Sequence, residues 1–246
     1  MKQTIYEQSL TPNYPVGKRI YEGDRVFRYC RALVALPVEK QGACNGDRLH
    51  ENNNVEIAAL AGDTTVTVLH TTATLDEFKD GYINFWTAIV QVCLRIKSNT
   101  ASDGTRCVLT LKDPLLYNVP ASPAAQSFCD IHANPYNNVG DMSAGLNHSS
   151  VICVPLIRIT AGYYFWGQVW GPIIGIAHAG NGIGLNANER IVYFAADGSI
   201  GLIGDGGITD DFQLAGFMLA TTLAGSGGGV PGAAGDDIFY MLQLSP

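Results

Sequence analysis

Short runs of β-branched and aromatic residues, each closed by a turn signal rich in glycine, proline or asparagine, recur along most of this chain. The clearest case is Asp197-Gly198, a dipeptide typical of two-residue β-hairpins, which separates the runs 190–196 and 199–203. A similar turn, Glu22-Gly23-Asp24, divides residues 18–31 into two β-prone halves. The pattern restricts the chain to short strands joined by tight turns.

Further strands are predicted where β-prone residues cluster. They lie at residues 63–72, 81–97, 105–112, 150–160, 163–170, 214–223 and 238–244. Residues 81–97 partly fit a helical spacing, but their aromatic and β-branched content favours a strand. The total of about ten short strands predicts an all-β fold, a β-barrel or a β-sandwich.

Two segments do not fit this pattern. Residues 114–148 hold four prolines and several asparagine-rich turns, which predicts a long irregular connection with one or two helical turns at 124–132. Residues 1–16 lack any periodicity and predict an extended N-terminal arm before a β-rich body, residues 17–246. The arm either frays in solvent or lies across another surface. Its candidate contact residues, two tyrosine anchors and two prolines, are Tyr6, Tyr14, Pro12 and Pro15.

Composition limits the partners of the chain. With 246 residues, 47% of them hydrophobic, it can bury a sizeable core in one large β domain or two small ones. Charged residues make up only 15%, against about 25% in typical soluble domains, which predicts that much surface is hidden in an assembly. A net charge of -7 would repel a phosphate backbone, so direct nucleic-acid binding is not expected.

Targeting signals are not recognisable in the sequence. Residues 1–8 are polar and do not resemble a signal peptide, and no uninterrupted apolar run reaches the roughly 18 residues of a membrane-spanning helix. We therefore expect a protein that is made and kept in a cytoplasm, without membrane contact. Six scattered cysteines without a Cys-x-x-Cys pair predict free buried thiols rather than a zinc site.

Motifs for cofactor binding and catalysis are weak. The glycine patterns 180–184 and 227–232 lack the following helix that a phosphate-binding loop needs. The segment 140–145 around Ser143 is one residue too long for a nucleophile elbow, and no histidine stands in a context that fixes a triad. Adjacent carboxylates such as Asp76-Glu77 point apart on a strand or are solvated in a loop. No cofactor, metal or catalytic residue is predicted.

The most unusual stretch is residues 163–170, where five of eight positions are aromatic. It is open to three interpretations: a plain core strand, a sugar-stacking platform, or a strand with one face in the core and the other on a partner subunit. Only one polar side chain of the segment suits a sugar platform, and the low charge of the chain favours the subunit contact. In that case Tyr163, Phe165 and Val169 lie in the core. The outward, partner-facing residues are then Tyr164, Trp166, Gln168 and Trp170.

Two segments, Tyr14–Tyr29 and Thr160–Pro172, resemble virion structural proteins of tailed bacteriophages, specifically capsid decoration (cement) proteins of the head. The resemblance implies a β-rich protein on the outside of an icosahedral shell, often a homotrimer, that clamps neighbouring copies of the major capsid protein. The six cysteines and the segment 114–148 depart from that pattern. On this basis deletion of residues 2–16 is expected to weaken attachment to the capsid and leave the fold intact.

Two other functions stay open. One is a head fibre or tail receptor-binding module in which the aromatic stretch or a glycine-rich loop contacts host glycans. The other is a polysaccharide hydrolase that uses loop carboxylates. Either would still be compatible with an all-β chain of this composition.

Overall fold

The computed structural model describes residues 3–46, 50–86, 91–122, 128–142, 150–178, 190–204, 208–209, 212–220 and 237–245, and this part of the chain is all-β, as predicted. Its sixteen strands are β1 (Arg19–Glu22), β2 (Arg25–Arg31), β3 (Ala43–Asn45), β4 (His50–Ile57), β5 (Thr65–Leu69), β6 (Tyr82–Trp86), β7 (Gln91–Asn99), β8 (Arg106–Leu111), β9 (Phe128–His132), β10 (Val139–Asp141), β11 (Val151–Pro155), β12 (Tyr164–Ile176), β13 (Ile191–Phe194), β14 (Ile200–Gly201), β15 (Leu214–Ala220) and β16 (Asp237–Gln243).

These strands belong to two compact units. Unit 1 combines residues 1–46 with 136–246, and unit 2 is the continuous segment 47–135. Residues 17–246, expected as one β-rich body, contribute to both units. Unit 1 is therefore built from two pieces of chain that are far apart in sequence.

Unit 2 is a closed antiparallel barrel with the strand order β4-β5-β8-β7-β6-β9. Strands β5 and β8 alternate buried and accessible residues, so that Val66 and Val68 share the interior with Leu109 and Leu111. Because successive side chains of a strand point to opposite faces, this alternation places the apolar residues inside the barrel. One of the two predicted architectures, the β-barrel, is thus confirmed for this unit.

The segment 81–97 is two strands rather than one. Strand β6 pairs with β7 in an antiparallel register that runs from Tyr82 opposite Arg95 to Trp86 opposite Gln91. Ile83 and Phe85 of β6 are fully buried in the barrel core. The prediction of β structure for this segment is confirmed. One strand was predicted instead of two because no glycine or proline separates β6 from β7 in the sequence.

The expectation of an irregular connection over 114–148 is wrong for two stretches of it. Strand β9, residues 128–132, closes the barrel between β4 and β6, and strand β10 joins the sheet of unit 1 through β3. A helical turn is therefore also wrong for residues 128–132. The local sequence does not predict β9, because this strand is stabilised by pairing with strands that are distant in sequence. Its residues Cys129 and Ile131 fill the barrel interior.

Unit 1 contains a curled ten-stranded sheet with the order β10-β3-β11-β12-β16-β15-β13-β14, in which β2 also pairs with β12 and β1 with β2. The predicted hairpins around Gly23 and around Gly198 both form, as β1–β2 and β13–β14. One face of the sheet covers the main core, which includes Phe165, Val169 and Tyr240. The long strand β12 organises this unit because it contacts three neighbours.

Strand β12 does not end at residue 170, the predicted end of this strand, but continues through Gly171 and Pro172 to Ile176. Gly171 takes a φ of 99°, and a Cβ at this position would clash with the backbone of Asp24. The pairing of β12 with β2 ends at Trp170, and beyond it β12 pairs with β16 alone in the described part of the chain. Pro172 is tolerated there because a proline can lie in a strand that has one unpaired edge. The strand therefore bends here without stopping.

Candidate interaction surface of the arm and strand β12

The N-terminal arm, residues 3–16, packs against unit 1. Ser9 and Tyr164 exchange two backbone hydrogen bonds, of 2.9 Å from the Ser9 amide and 2.7 Å from the Tyr164 amide. Tyr164 pairs with Arg31 of β2 on its other side, so the arm occupies an otherwise unpaired edge at the start of β12. The Gln8 side chain adds a hydrogen bond of 2.8 Å from the amide of Thr160. The arm is thus a fixed part of the sheet edge.

Four aromatic rings form the contact between the arm and the sheet. Tyr14 of the arm meets the rings of Tyr29 and Trp166 at centroid distances of 5.3 and 5.1 Å. Tyr29 in turn lies 4.8 Å from Trp166 and stacks on Tyr164 at 5.9 Å. Offset and edge-on ring pairs at these distances add about 0.5–1.5 kcal/mol each beyond the area they bury. Ile5 of the arm completes this separate apolar cluster.

A polar network centred on Gln3 holds the arm in register. Its amide oxygen accepts hydrogen bonds from the Tyr29 hydroxyl, at 2.7 Å, and from the Asn13 side chain, at 3.0 Å. Its amide nitrogen donates to the carbonyls of Glu7 and Tyr164, both at 2.9 Å. The Trp166 indole donates to the Gln3 carbonyl at 3.2 Å. Because the buried polar groups of both sides find partners here, the arm cannot leave without exposing unpaired groups.

Electrostatics around the cluster come from two cations and one buried phenol. The Lys18 ammonium lies 4.7 Å from the centre of the Tyr14 ring, and the Arg31 guanidinium lies 5.9 Å from that of Tyr164. Burial raises the pKa of Tyr29 above its usual value, while the hydrogen bond from the Asn13 amide opposes this rise. The phenol therefore stays neutral and acts as a hydrogen-bond donor at physiological pH.

Four arm residues were predicted to contact a partner. In the structure one of them packs against the chain itself, and the other three are exposed. Tyr14 is half-buried and anchors the arm to its own chain. Tyr6, by contrast, exposes 59% of its surface, and Pro12 and Pro15 are also exposed. Leu10, which sequence reasoning missed, is exposed to 65%. The outward side of the arm therefore carries isolated apolar groups on a fixed backbone.

The alternation expected for residues 163–170 is not observed. Phe165 and Val169 lie in the core as expected, but Trp166 and Gln168, expected on the outward face, are buried as well. The arm covers the ring of Trp166, which explains why both sides of the strand are apolar at this point. Tyr164 and Trp170 are half-buried and retain accessible surface.

Gln168 has an internal structural role. Its side-chain nitrogen lies 3.1 to 3.3 Å from the carbonyl oxygens of Trp170, Gly171 and Pro172. These residues lie where the register between β12 and β2 shifts and the pairing of β12 with β16 begins. The amide of Gln168 therefore stabilises the bend and does not serve a sugar ligand.

A histidine, a serine and an aspartate come together at the β13–β14 hairpin. His178 Nδ1 lies 2.9 Å from Ser199 Oγ and 3.6 Å from Asp197 Oδ1, and the Ser199 hydroxyl donates to Asp197. In a catalytic triad the imidazole bridges serine and acid through its two nitrogens. Here the acid binds the serine directly, and Ser199 is only 1% exposed. The arrangement stabilises the turn and does not fit acyl transfer.

Several other motifs fall partly or wholly outside the described residues. They are the glycine patterns 180–184 and 227–232, the end of the segment 140–145, and the pair Asp210-Asp211. Within the described ranges, no three His, Cys, Asp or Glu side chains gather as metal ligands would. The same part of the chain holds no helix with the length and apolar character needed to cross a membrane.

Unit 2 offers a further exposed apolar surface that the sequence did not indicate. The loop after β4 and the segment after β8 are joined by hydrogen bonds between Ala59 and Val119 and from Gly62 to Leu115. The outward residues of these two loops are Leu60, Leu116 and Tyr117, each more than half exposed. We name them the β4–β5 tip.

The chain has no significant match among protein-family models, curated proteins or solved structures.

Proposed function

We propose that this chain is a decoration (cement) protein of a tailed-bacteriophage head, which attaches as a homotrimer to the outside of the capsid and bridges major capsid subunits. The observation that carries the proposal is the arm: its backbone is fixed by Ser9, Gln3 and Tyr14, while Tyr6 and Leu10 point outward. A rigid display of apolar side chains lowers the entropy that a contact costs on binding. This arrangement suits attachment to another protein surface.

The exposed residues of the β4–β5 tip support the same function. Leu60, Leu116 and Tyr117 lie on two loops that are hydrogen-bonded to each other, and exposed apolar groups that lie together are typical of contact sites. A protein that bridges subunits needs more than one contact, and several weak contacts on one chain act together through effective concentration. We assign Tyr6, Leu10 and this tip to the capsid contacts.

The direct test is co-sedimentation of the purified chain with empty shells of the phage that encodes it. We expect saturable binding at a fixed ratio to the major capsid protein. Replacing Tyr6 and Leu10 by serine together should weaken binding at least roughly tenfold, since exposed aromatic anchors dominate many interfaces. Leu75→Ser is the matched control, because Leu75 is 72% exposed in a different part of the chain.

Substitutions are preferable to deletion of residues 2–16. Deletion would also remove the partners of Tyr29, Tyr164 and Trp166, so that lost attachment and lost stability could not be separated. Absence of any binding to shells at high protein concentration would overturn the proposed function. Binding to host cells or their glycans in place of shells would favour the receptor-binding function instead.

A further inference from the structure

The sheet of unit 1 has an outer face that is apolar across four strands. Pro172, Met241, Phe217 and Ile191 lie side by side in register on β12, β16, β15 and β13. In the next row Ile174 pairs with Phe239. Paired residues of antiparallel strands place their side chains on the same face. The neighbours of these residues along each strand, such as Ile173 and Tyr240, point into the core.

This outer face is accessible. Its six large side chains each expose between 40% and 53% of their surface. They are Ile174, Ile191, Leu214, Phe217, Leu219 and Phe239. Together they present roughly 500 Å² of apolar surface, which reaches the size of the largest patch on a typical monomer. Scattered surface hydrophobics are ordinary, but a face that is apolar over four neighbouring strands is not.

The face is also almost free of charge. Strands β12, β13, β15 and β16 contain a single charged residue, Asp237, at the first position of β16, and Arg190 stands just before β13. Antiparallel sheets with a solvated face normally carry polar residues at alternate positions. Here most of those alternate positions are Ile, Phe, Leu, Met and Pro, and the polar exceptions are Tyr193 and Gln243.

We propose that this face binds a second copy of the same chain. Two copies carry -7 each and repel one another, so they associate best through a surface that lacks charge. In a contact with two-fold symmetry each residue meets an identical or neighbouring one, which suits apolar side chains and penalises charged ones; such a contact pairs two copies, so the homotrimer of the proposed function would need a further contact. A standard stable interface takes about 800 Å² from each partner, so the contact would extend from these six side chains onto their half-buried neighbours.

The inference rests on this face alone and does not depend on attachment to a capsid. It requires only that the purified chain self-associates through the strands β12, β13, β15 and β16.

Trp170, predicted from the sequence to contact a partner subunit, pairs in register with Gln243 at one end of the face. Its accessible part therefore borders the proposed contact.

The test is the solution mass of the full chain, measured by light scattering and sedimentation equilibrium over a wide range of concentrations. We expect a stable oligomer, and we expect Phe217→Gln combined with Phe239→Gln to raise its dissociation constant by at least roughly tenfold. Leu75→Gln is the matched control and should leave the mass unchanged. Circular dichroism and urea unfolding of the variants show whether they are folded.

A second variant keeps the test decisive if the double substitution fails to fold. Ile191→Lys places a charge on the same face at a residue that is 53% exposed, and in a symmetric contact the two lysines would lie near one another. A monomeric wild-type chain at every concentration, or an oligomer unaffected by both variants, would overturn the inference. If the wild type is monomeric and the variants lose binding to shells, the capsid covers this face: the inference is wrong, attachment to the capsid stands, and a homotrimer would have to form on the shell.

Discussion

The hydroxyl of Tyr29, in the second strand of the sheet, donates a hydrogen bond of 2.7 Å to the side-chain oxygen of Gln3, near the beginning of the chain. The same hydroxyl accepts a hydrogen bond of 3.1 Å from the Asn13 amide. One phenolic oxygen thereby connects both ends of the arm to the sheet. The ring of Tyr29 and its bond to Gln3 are buried, whereas the bond from the Asn13 amide is only partly buried.

Tyr29→Phe is therefore expected to destabilise unit 1 while keeping the ring contacts. Loss of the hydroxyl leaves the Asn13 amide without this partner, and the cost should be about 1–2 kcal/mol in the free energy of unfolding. Urea denaturation followed by circular dichroism measures it. Tyr6→Phe is the control, because Tyr6 is exposed and its hydroxyl has no hydrogen-bond partner among the described residues. Equal stability of the two variants would show that the arm is not held as described.

Gly167 is expected to tolerate no side chain. A Cβ at this position would lie 2.6 Å from both Cβ and Sγ of Cys153 and 3.4 Å from Sγ of Cys30. Gly167→Ala should cost about 1–3 kcal/mol through overpacking. Cys153→Ala removes the sulfur, one of the two atoms at 2.6 Å, and keeps the Cβ, so it relieves part of this conflict. The double variant should therefore be more stable than the sum of the single effects predicts, and simple additivity would contradict the packing described for these three residues.

His70 should make unit 2 less stable in mild acid. Burial lowers the pKa of His70 below its usual 6.5, and the Glu77 carboxylate opposes this shift in part. The folded state then binds a proton more weakly than the unfolded state, so stability is full above pH 6.5 and falls as the pH drops from about 6.5 toward the lowered pKa. Urea midpoints at several pH values measure the slope. In His70→Gln the slope between about pH 7 and 5.5 should be reduced, and an unchanged slope would assign it to other groups.

Thiol reactivity should distinguish one cysteine from five. Cys93 is exposed, and the other cysteines, Cys30, Cys44, Cys107, Cys129 and Cys153, are buried. Burial raises the pKa of Cys44 and Cys107 to about 11 and that of Cys129 to about 12, so little thiolate forms at neutral pH.

Titration with an aromatic disulfide reagent should therefore modify one thiol per native chain and six after denaturation. Cys93→Ser should remove the fast reaction. Rapid modification of two or more thiols in the native wild type would show that a core opens more readily than the packing indicates. The buried cysteines lie in both units, so the measurement reports on each of them.

Local chemistry explains which parts of the fold were predictable. The turns at Gly23 and Gly198 need a positive φ, which glycine provides, and both hairpins were predicted from those residues alone. Strand β9 was missed because no local signal reports that Cys129 and Ile131 fill the space between two distant strands. Strand formation there depends on tertiary pairing rather than on propensity.

The candidate surface was predictable only in part, and the reason is the same. Trp166 was expected to face outward because strands alternate, but the arm, about 160 positions earlier in the sequence, covers it. The exposure of the outer face around Phe217 and Phe239 could not be predicted from the sequence either. Apolar residues on both sides of these strands resemble a strand that is buried on both faces, so composition alone could not show which side is exposed.

The contact between Gln3 and Trp166 joins residues 163 positions apart. A ribosome makes the arm before unit 2, yet the edge of β12 on which the arm lies is made only after the whole of unit 2. The barrel is a continuous segment and can close early, whereas the sheet of unit 1 must wait for its second half. Long-range pairing of this kind is slow, because the chain loses loop entropy before the contacts form. During synthesis Tyr14 and Tyr29 therefore stay without their final partners, and this interval is when the nascent chain is most open to aggregation.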